Sequence, residues 1–245
     1  MKQIRDPNHQ YSEFYTNKVS KHFSLIFTRF FLKLGMSANA VTYLMWIVGI
    51  AGGVCLIYPD WSTRLIGCIL LFLINVLDTS DGEVARYLDT CSPFGVILDK
   101  IVHFTTNQVI YFCFAFGLYL ESANELWVLL GFGLIFVTTS DDILKELFTV
   151  QAANSSENAK KTKLQLSYNK SSLLQFFVSI SFANTGFYHL FGIFVLLDLI
   201  IPNTAGQRFF FEIAYVLIYL FVNLVKVLIR YKKIQKLTRN NHADL

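Results

Sequence analysis

The chain has 245 residues, of which 54% are hydrophobic and 16% are charged, and its mean hydropathy is +0.46. A soluble domain is normally about a quarter charged, so this composition excludes an ordinary soluble protein and indicates an integral membrane protein. The long uninterrupted apolar runs favour membrane helices over a β-barrel, whose strands would alternate polar and apolar residues.

The first predicted element is an amphipathic helix in the stretch SKHFSLIFTRFFLKLG. Its apolar residues recur at helical spacing, and its other face carries three basic residues, Lys21, Arg29 and Lys33. We expect this helix to lie in the cytoplasmic interface of the membrane, the alternative being a soluble helix packed on the bundle. Gly35 is expected to end it, and Ser37 or Asn39 to cap the next helix.

Six apolar segments follow, at about residues 40–58, 63–77, 94–120, 125–148, 173–201 and 209–229. Each is long enough, or nearly so, to cross about 30 Å of hydrocarbon at about 1.5 Å per residue. The predicted fold is therefore an all-α integral membrane protein with six transmembrane helices after an interfacial helix. We divide it into an N-terminal segment (1–36), a six-helix transmembrane domain (37–232) and a basic tail (233–245).

The distribution of basic residues predicts the orientation in the membrane. They crowd three stretches: Lys18 to Lys33, a loop with Lys160, Lys161, Lys163 and Lys170, and a tail with Arg230, Lys232, Lys233, Lys236 and Arg239. The positive-inside rule accounts for these clusters better than nucleic-acid binding, and it places both termini in the cytoplasm. The connection between spans two and three, taken to hold Asp81 to Pro93, then faces the cytoplasm as well.

Charged residues in and beside spans two and three form the main candidate site. Carboxylates at membrane depth are costly, so they usually stay only where they bind something. Asp78 and Asp81 are three residues apart, and Asp99 and His103 are four apart, so each pair shares a helix face. The two helices would aim four ligand-type side chains at one point, a set that suits Mg²⁺ or Mn²⁺.

Neighbouring residues fit a diphosphate at the same site. Gly82 and Gly95 leave room for a ligand near the backbone, and the guanidinium of Arg86 has several N–H groups that can donate hydrogen bonds to a phosphate. Each feature alone has an ordinary structural explanation, such as a helix cap, a packing glycine or a membrane anchor. Together they favour a metal-assisted diphosphate site.

The spacing of these residues resembles the signature of the CDP-alcohol phosphotransferases, also called CDP-alcohol phosphatidyltransferases. Seven of the eight signature positions match: Asp78, Asp81, Gly82, Ala85, Arg86, Gly95 and Asp99. The family also has six helices, an N-terminal interfacial helix and a first span that starts Pro-Asn-x-x-Thr. Here that start is residues 38–42, ANAVT, with alanine in place of proline. The resemblance covers roughly the first half of the chain well and the second half only in hydropathy.

The resemblance implies transfer of a phosphoalcohol or phosphatidyl group from a CDP-linked donor to a hydroxyl acceptor, with release of CMP. Asp78, Asp81 and Asp99 would hold the metal ions, Mg²⁺ or Mn²⁺. The CDP moiety would bind at Asp78, Asp81, Gly82, Ala85, Arg86 and Gly95. Members of the family are commonly dimeric, so a homodimer is one option.

His103 stands where the family has a fourth aspartate, which is its general base and a metal ligand. Three interpretations remain open. His103 replaces that aspartate as base and metal ligand, with Asp99 beside it as the other catalytic residue. Alternatively it only binds substrate, or the site is degenerate and the protein is a non-catalytic binder.

Further polar residues are candidates for the acceptor site. Asp141, Asp142 and Lys145 lie near the cytoplasmic end of span four, where Lys145 would meet a phosphate. The alternative is mutual ion pairing at the membrane interface. Asn107 and Gln108 in span three are also polar, but the sequence does not orient them.

The predicted function is phosphoalcohol or phosphatidyl transfer to an amphiphilic or lipid acceptor in phospholipid or related lipid biosynthesis. The stretch YTNKVSKHFSLIFTRFFLKLGMSANAVT also resembles family members that handle inositol phosphates or other sugar-like alcohols. That leaves transfer of a phosphoalcohol or phosphosugar to a lipid carrier in surface-glycan assembly as an alternative. A third alternative, a transporter or non-catalytic nucleotide-lipid binder, fits less well because a transporter would be expected to show inverted repeats and midplane charges.

Overall fold

The computed structural model of the chain describes residues 21–154, 184–201 and 209–243, and all regular structure within them is helical. These ranges hold seven helices: α1 (Lys21–Lys33), α2 (Ala38–Cys55), α3 (Trp61–Leu88), α4 (Pro93–Ser122), α5 (Leu126–Asn154), α6 (Asn184–Ile200) and α7 (Phe210–Ala243). Five of them, α2 to α5 and α7, are long and apolar enough to cross a membrane. The predicted all-helical, membrane-spanning class is thus confirmed.

The predicted fifth span falls only partly within the described residues. Residues 173–183 lie outside them, as do the basic residues of the loop at 160–170. The remainder of the span is helical from Asn184, and Leu190–Ile200 is its apolar section. Helix α7, which contains the predicted sixth span, runs from Phe210 to Ala243, and its section Phe210–Gln235 is apolar enough to cross a membrane.

The predicted break between α1 and α2 is confirmed in detail. Gly35 has φ 68°, a left-handed conformation that glycine adopts without steric cost. Its N–H donates to the carbonyl of Leu32, and the N–H of Met36 donates to that of Phe31, which together form a Schellman motif. Ser37 then caps α2 by accepting a hydrogen bond from the N–H of Ala40.

The predicted connection from Asp81 to Pro93 is wrong, because α3 stays helical through Leu88 and only residues 89–92 link it to α4. A single glycine at position 82 does not break a helix that is packed along its length. Asp89, at φ 61°, ends α3 in a second Schellman motif, with the N–H of Thr90 bonded to the carbonyl of Ala85. The whole run from Asp78 to Arg86 therefore lies on one helix.

Small residues allow α2 to pack closely against α3 and α4. Gly49 and Gly53 form a GxxxG pair, a pattern that brings membrane helices together. A Cβ on Gly49 would lie 2.4 Å from the methyl of Thr106, and one on Gly53 would lie 3.4 Å from the Cα of Ile110. This contact holds α4 in register beside α2 and α3.

A buried ion pair ties α3 to α7 at the opposite end of the bundle from the 89–92 turn. Arg64 and Glu212 are in direct contact, and both side chains are fully buried. Arg64 also donates to the carbonyl of Leu56 and lies over the ring of Phe209, 4.0 Å from its centroid. Asp198 at the end of α6 accepts hydrogen bonds from the first turn of α7. No sequence pattern pointed to this cluster.

Candidate metal and nucleotide site

The paired ends of α3 and α4 bring three of the four predicted metal ligands together. The Nε2 atom of His103 lies 2.9 Å from Oδ1 of Asp78 and 3.4 Å from Oδ1 of Asp99. One ligand atom from each residue lies within 4.8 Å of the other two. Across the described part of the chain, this is the one cluster of its kind. We call Asp78, Asp99 and His103 the ligand cluster.

The cluster has the chemistry of a divalent-metal site. Two carboxylates and an imidazole are a donor set that Mn²⁺ accepts readily and Mg²⁺ accepts through the oxygens. The Oδ1 atom of Asp99 is buried and accepts no hydrogen bond from the residues that the structure describes. A buried polar atom without a hydrogen bond costs free energy, and the 3.4 Å approach of Nε2 of His103 offsets that cost only in part, so the residues present fit a cation.

Asp81 is nearly buried beside the cluster, with 8% of its surface exposed. Its Oδ2 atom accepts a hydrogen bond of 2.7 Å from the hydroxyl of Thr42 on α2. Asp81 was expected at the same point as the other ligands, but it does not belong to the group whose ligand atoms lie within 4.8 Å of one another. Thr42 was missed as its partner, although the Asn-x-x-Thr start of the first span was the available signal.

Two glycines of the signature, Gly82 and Gly95, lie close to polar side chains. A Cβ on Gly82 would lie 3.1 Å from Nη1 of Arg86, so the guanidinium of Arg86 lies directly over the glycine. A Cβ on Gly95 would lie 3.4 Å from Oδ1 of Asn39 and 3.4 Å from Oγ of Ser92. Ser92 itself caps α4 through the N–H of Gly95. Ala85 is half-buried on the same helix as Arg86.

The residues expected at the acceptor site lie on α5 and meet the last helix. Asp141 is buried, and its Oδ1 lies 2.7 Å from Nη1 of Arg230 on α7. Arg230 also donates to the backbone carbonyl of Asp141. Asp142 is half-buried and Lys145 is exposed. The sequence analysis had counted Arg230 only among the basic residues of the tail, so this partner was missed.

A line of polar side chains continues from the cluster along α4. Asn107 is four residues after His103 and is hydrogen-bonded by the hydroxyl of Tyr188 on α6. Tyr111 is four residues further on, and its hydroxyl lies 3.1 Å from that of Tyr219 on α7. Together with the contact of His103 to Asp78 on α3, these bonds tie three successive turns of α4 to α3, α6 and α7.

Comparison with protein families matches most of the chain. A family model described as CDP-alcohol phosphatidyltransferase matches residues 35–221, a range that contains the ligand cluster and the whole signature. No curated protein matches the chain. Members of the family transfer a phosphoalcohol from a CDP-alcohol and generally depend on a divalent metal. Because the match covers well over half of the sequence, the chain belongs to the CDP-alcohol phosphatidyltransferase family.

Proposed function

We propose that the protein transfers a phosphoalcohol or phosphatidyl group from a CDP-linked donor to the hydroxyl of an amphiphilic or lipid acceptor, in phospholipid or related lipid biosynthesis. The observation that carries the proposal is the convergence of Asp78, Asp99 and His103 within 4.8 Å, on helices that also hold the rest of the signature. The reaction forms a bond between the acceptor oxygen and the β-phosphorus. It breaks the bond from that phosphorus to the bridging oxygen, which leaves with CMP.

The donor is proposed to lie along the last turns of α3 and the first turn of α4. Gly82 and Gly95 keep the helix surfaces open there, and Arg86 presents its guanidinium above Gly82. A planar guanidinium matches phosphate oxygens in two-point hydrogen bonding. Ala85 adds a small side chain, which suits the cytidine end of the donor.

Asp78, Asp81, Asp99 and His103 are the residues proposed to hold Mg²⁺ or Mn²⁺. A bound divalent ion would neutralise the negative charge that grows on the diphosphate as CMP leaves. Thr42 fixes one oxygen of Asp81 and leaves the other free for the site. The direct neighbours of His103 are Asp78 and Asp99, with Nε2 at 2.9 Å and 3.4 Å from their Oδ1 atoms.

His103 and Asp99 are the proposed catalytic pair. The Nε2 atom of His103 is the ring nitrogen that faces the cluster. With Asp78 and Asp99 bound to a metal and the imidazole neutral, this nitrogen would take the proton of the acceptor hydroxyl. Asp99, one helical turn earlier, holds the same nitrogen from the other side at 3.4 Å. An imidazole held between two carboxylates can replace the aspartate that the family has at this position.

The proposed setting has six membrane spans, α1 in the interface and both termini in the cytoplasm. The exposed basic residues Arg29, Lys33, Lys232 and Lys233 lie at the cluster end of the bundle and support this orientation. The acceptor site is proposed at the same end, where α5 contributes Asp141, Asp142 and Lys145. Arg230 holds Asp141 in place, and Lys145 is exposed on the same helix.

Release of CMP tests the proposal directly. Purified protein in lipid nanodiscs is incubated with CDP-alcohols, lipid extract and Mg²⁺ or Mn²⁺. Asp78→Asn and Asp99→Asn should each lower turnover by about a hundredfold or more, since each removes charge from the ligand cluster. The matched control is Asp60→Asn at the far end of α3, where asparagine caps a helix as well as aspartate does.

Near-normal turnover in either cluster variant would contradict the metal assignment. Retained CDP binding without CMP release from any donor would instead support a non-catalytic binder. Mass spectra of the lipid product separate the two enzymatic options, because a phospholipid and a glycosylated lipid carrier differ in mass and headgroup.

His103 is tested separately. His103→Ala should lower turnover by about two to four orders of magnitude if the imidazole is the base. His103→Asp restores the residue that the family has and should retain turnover if the same chemistry operates. An inactive His103→Asp variant beside an active parent would show that the site depends on imidazole.

A further inference from the structure

Helix α1 presents a more apolar outer surface than a helix packed on a soluble protein. Its buried face combines the apolar Phe31 with the hydroxyls of Ser24 and Thr28, and both hydroxyl residues are fully buried. Its outer face carries Phe23, Ile26 and Phe30, which are 48%, 64% and 55% exposed. Contact with water would favour polar side chains on the outer face of α1. The exposed apolar side chains there are therefore stable only against an apolar medium.

The lipid interface is the medium that fits this face. Residues 34–37 join α1 directly to α2, which is apolar and long enough to cross the membrane. Helix α1 therefore lies where α2 enters the bilayer. Arg29 and Lys33 are exposed at the edge of the apolar face, where they suit lipid phosphates.

The inner face of α1 is hydrogen-bonded to the helix that carries the ligand cluster. Glu83 on α3 is fully buried, and its two carboxylate oxygens accept from the hydroxyls of Ser24, at 3.2 Å, and Thr28, at 2.7 Å. The hydroxyl of Ser80 donates to the backbone carbonyl of Ser24 at 3.3 Å. We call Ser24, Thr28, Ser80 and Glu83 the hydroxyl seam.

The hydroxyl seam lies behind the carboxylates of the site. Glu83 is two residues after Asp81 and five after Asp78, so at about 100° per residue it projects from roughly the opposite side of α3. A contact there sets how far α3 is rotated about its own axis. The rotation of α3 in turn decides where Asp78 stands relative to Asp99 and His103 on α4.

We propose that Glu83 is a positioning residue, through which α1, seated in the lipid interface, holds Asp78 in the geometry that binds the metal. The proposal rests on the function proposed above and adds a dependence on the membrane. Glu83 does not touch the ligand cluster and acts only through the orientation of α3. Its expected effect is therefore on metal affinity more than on the overall fold.

The test measures Mn²⁺ binding to the full chain in nanodiscs that contain anionic phospholipid, by electron paramagnetic resonance of free Mn²⁺. Thr28→Val removes one hydroxyl at nearly constant volume, and Glu83→Gln removes the charge that it bonds to. Each should raise the Kd for Mn²⁺ by about three- to tenfold, less than loss of a group bonded directly to a ligand. The double variant should raise the Kd by less than the two single effects combined, because both changes weaken the contact between Thr28 and Glu83.

Three further variants separate positioning from general damage. Thr28→Ser keeps the hydroxyl and should keep the wild-type Kd. Thr138→Val removes another buried hydroxyl, one that bonds to the backbone of its own helix, and should also leave the Kd unchanged. A variant with Ile26→Ser and Phe30→Ser leaves the hydroxyl seam intact and should weaken Mn²⁺ binding as the seam variants do.

An unchanged Kd in the seam variants or in the Ile26→Ser and Phe30→Ser variant overturns the proposal. The test also separates its failure from that of the proposed function. If the wild-type protein binds Mn²⁺ and releases CMP while the seam variants behave identically, only the positioning role is refuted. If the wild-type protein does neither, the proposed function falls, and the positioning role falls with it.

Discussion

Replacing Glu212 with leucine removes the partner of Arg64 in the ion pair between α3 and α7, where both side chains are fully buried. Arg64 keeps its hydrogen bond to the Leu56 carbonyl and its contact with the ring of Phe209. Its guanidinium cannot lose its proton, so an unpaired positive charge stays buried. We expect the free energy of unfolding to fall by about 3–5 kcal/mol.

The reverse change, Arg64→Met, should cost less, because a buried carboxyl can take up a proton and become neutral. The double variant Arg64→Met with Glu212→Leu leaves no buried charge, and methionine and leucine fill much of the same volume. Its stability should lie within about 1–2 kcal/mol of the wild-type value, since an apolar pair often replaces a buried ion pair at little cost.

Equilibrium unfolding in mixed micelles, followed by circular dichroism, gives the three free energies of unfolding. The exposed pair of Lys100 and Glu146, at 2.8 Å, is the matched control. Its removal should change stability by about 0–1 kcal/mol. Additive effects of the two buried substitutions, or a larger loss for Arg64→Met than for Glu212→Leu, would refute the reasoning.

Four substitutions, three at glycines and one at a helix end, give further tests. Gly117→Ala places a Cβ 2.6 Å from a backbone oxygen that cannot move aside, so it should lower the free energy of unfolding by about 1–3 kcal/mol. The control Gly133→Ala places a Cβ where no atom lies within 4 Å, so it should be neutral or stabilising in the same unfolding assay. Gly82→Ala should displace the guanidinium of Arg86 and so raise the KM for the CDP donor severalfold, with little change in stability. An unchanged KM would show that Arg86 does not contact the donor. Asp89→Gly should stabilise the end of α3 by about 1 kcal/mol, because glycine adopts φ 61° without strain, and a lower stability would mean that the aspartate side chain contributes there.

Local sequence signals predicted the local features well. Gly35 and Ser37 end one helix and begin the next as expected, because capping depends on residues within a single turn. The spacing of Asp99 and His103 placed both on one face of α4 for the same reason. The family signature supplied the partner helix, so the main part of the site was predictable.

Contacts between distant residues were not predictable. Arg64 and Glu212 are 148 positions apart, and neither stands in a pattern that points to the other. The pairing of Thr28 with Glu83 likewise depends on how α1 is placed against α3, which propensity and periodicity do not encode. Helix α3 extends past the predicted end of the second span, and buried partners such as Thr42 satisfy its charged residues inside the bundle.

The four-residue turn at 89–92 has a consequence for how substrates reach the site. Asp78, Asp99 and His103 all belong to one helical hairpin, α3 and α4, whose two arms are joined too tightly to slide past each other by a full turn. Movements of α5, α6 and α7 would therefore widen or narrow the approach to the cluster while its internal distances stay fixed. Entry of a bulky lipid acceptor and retention of the metal then depend on separate parts of the molecule.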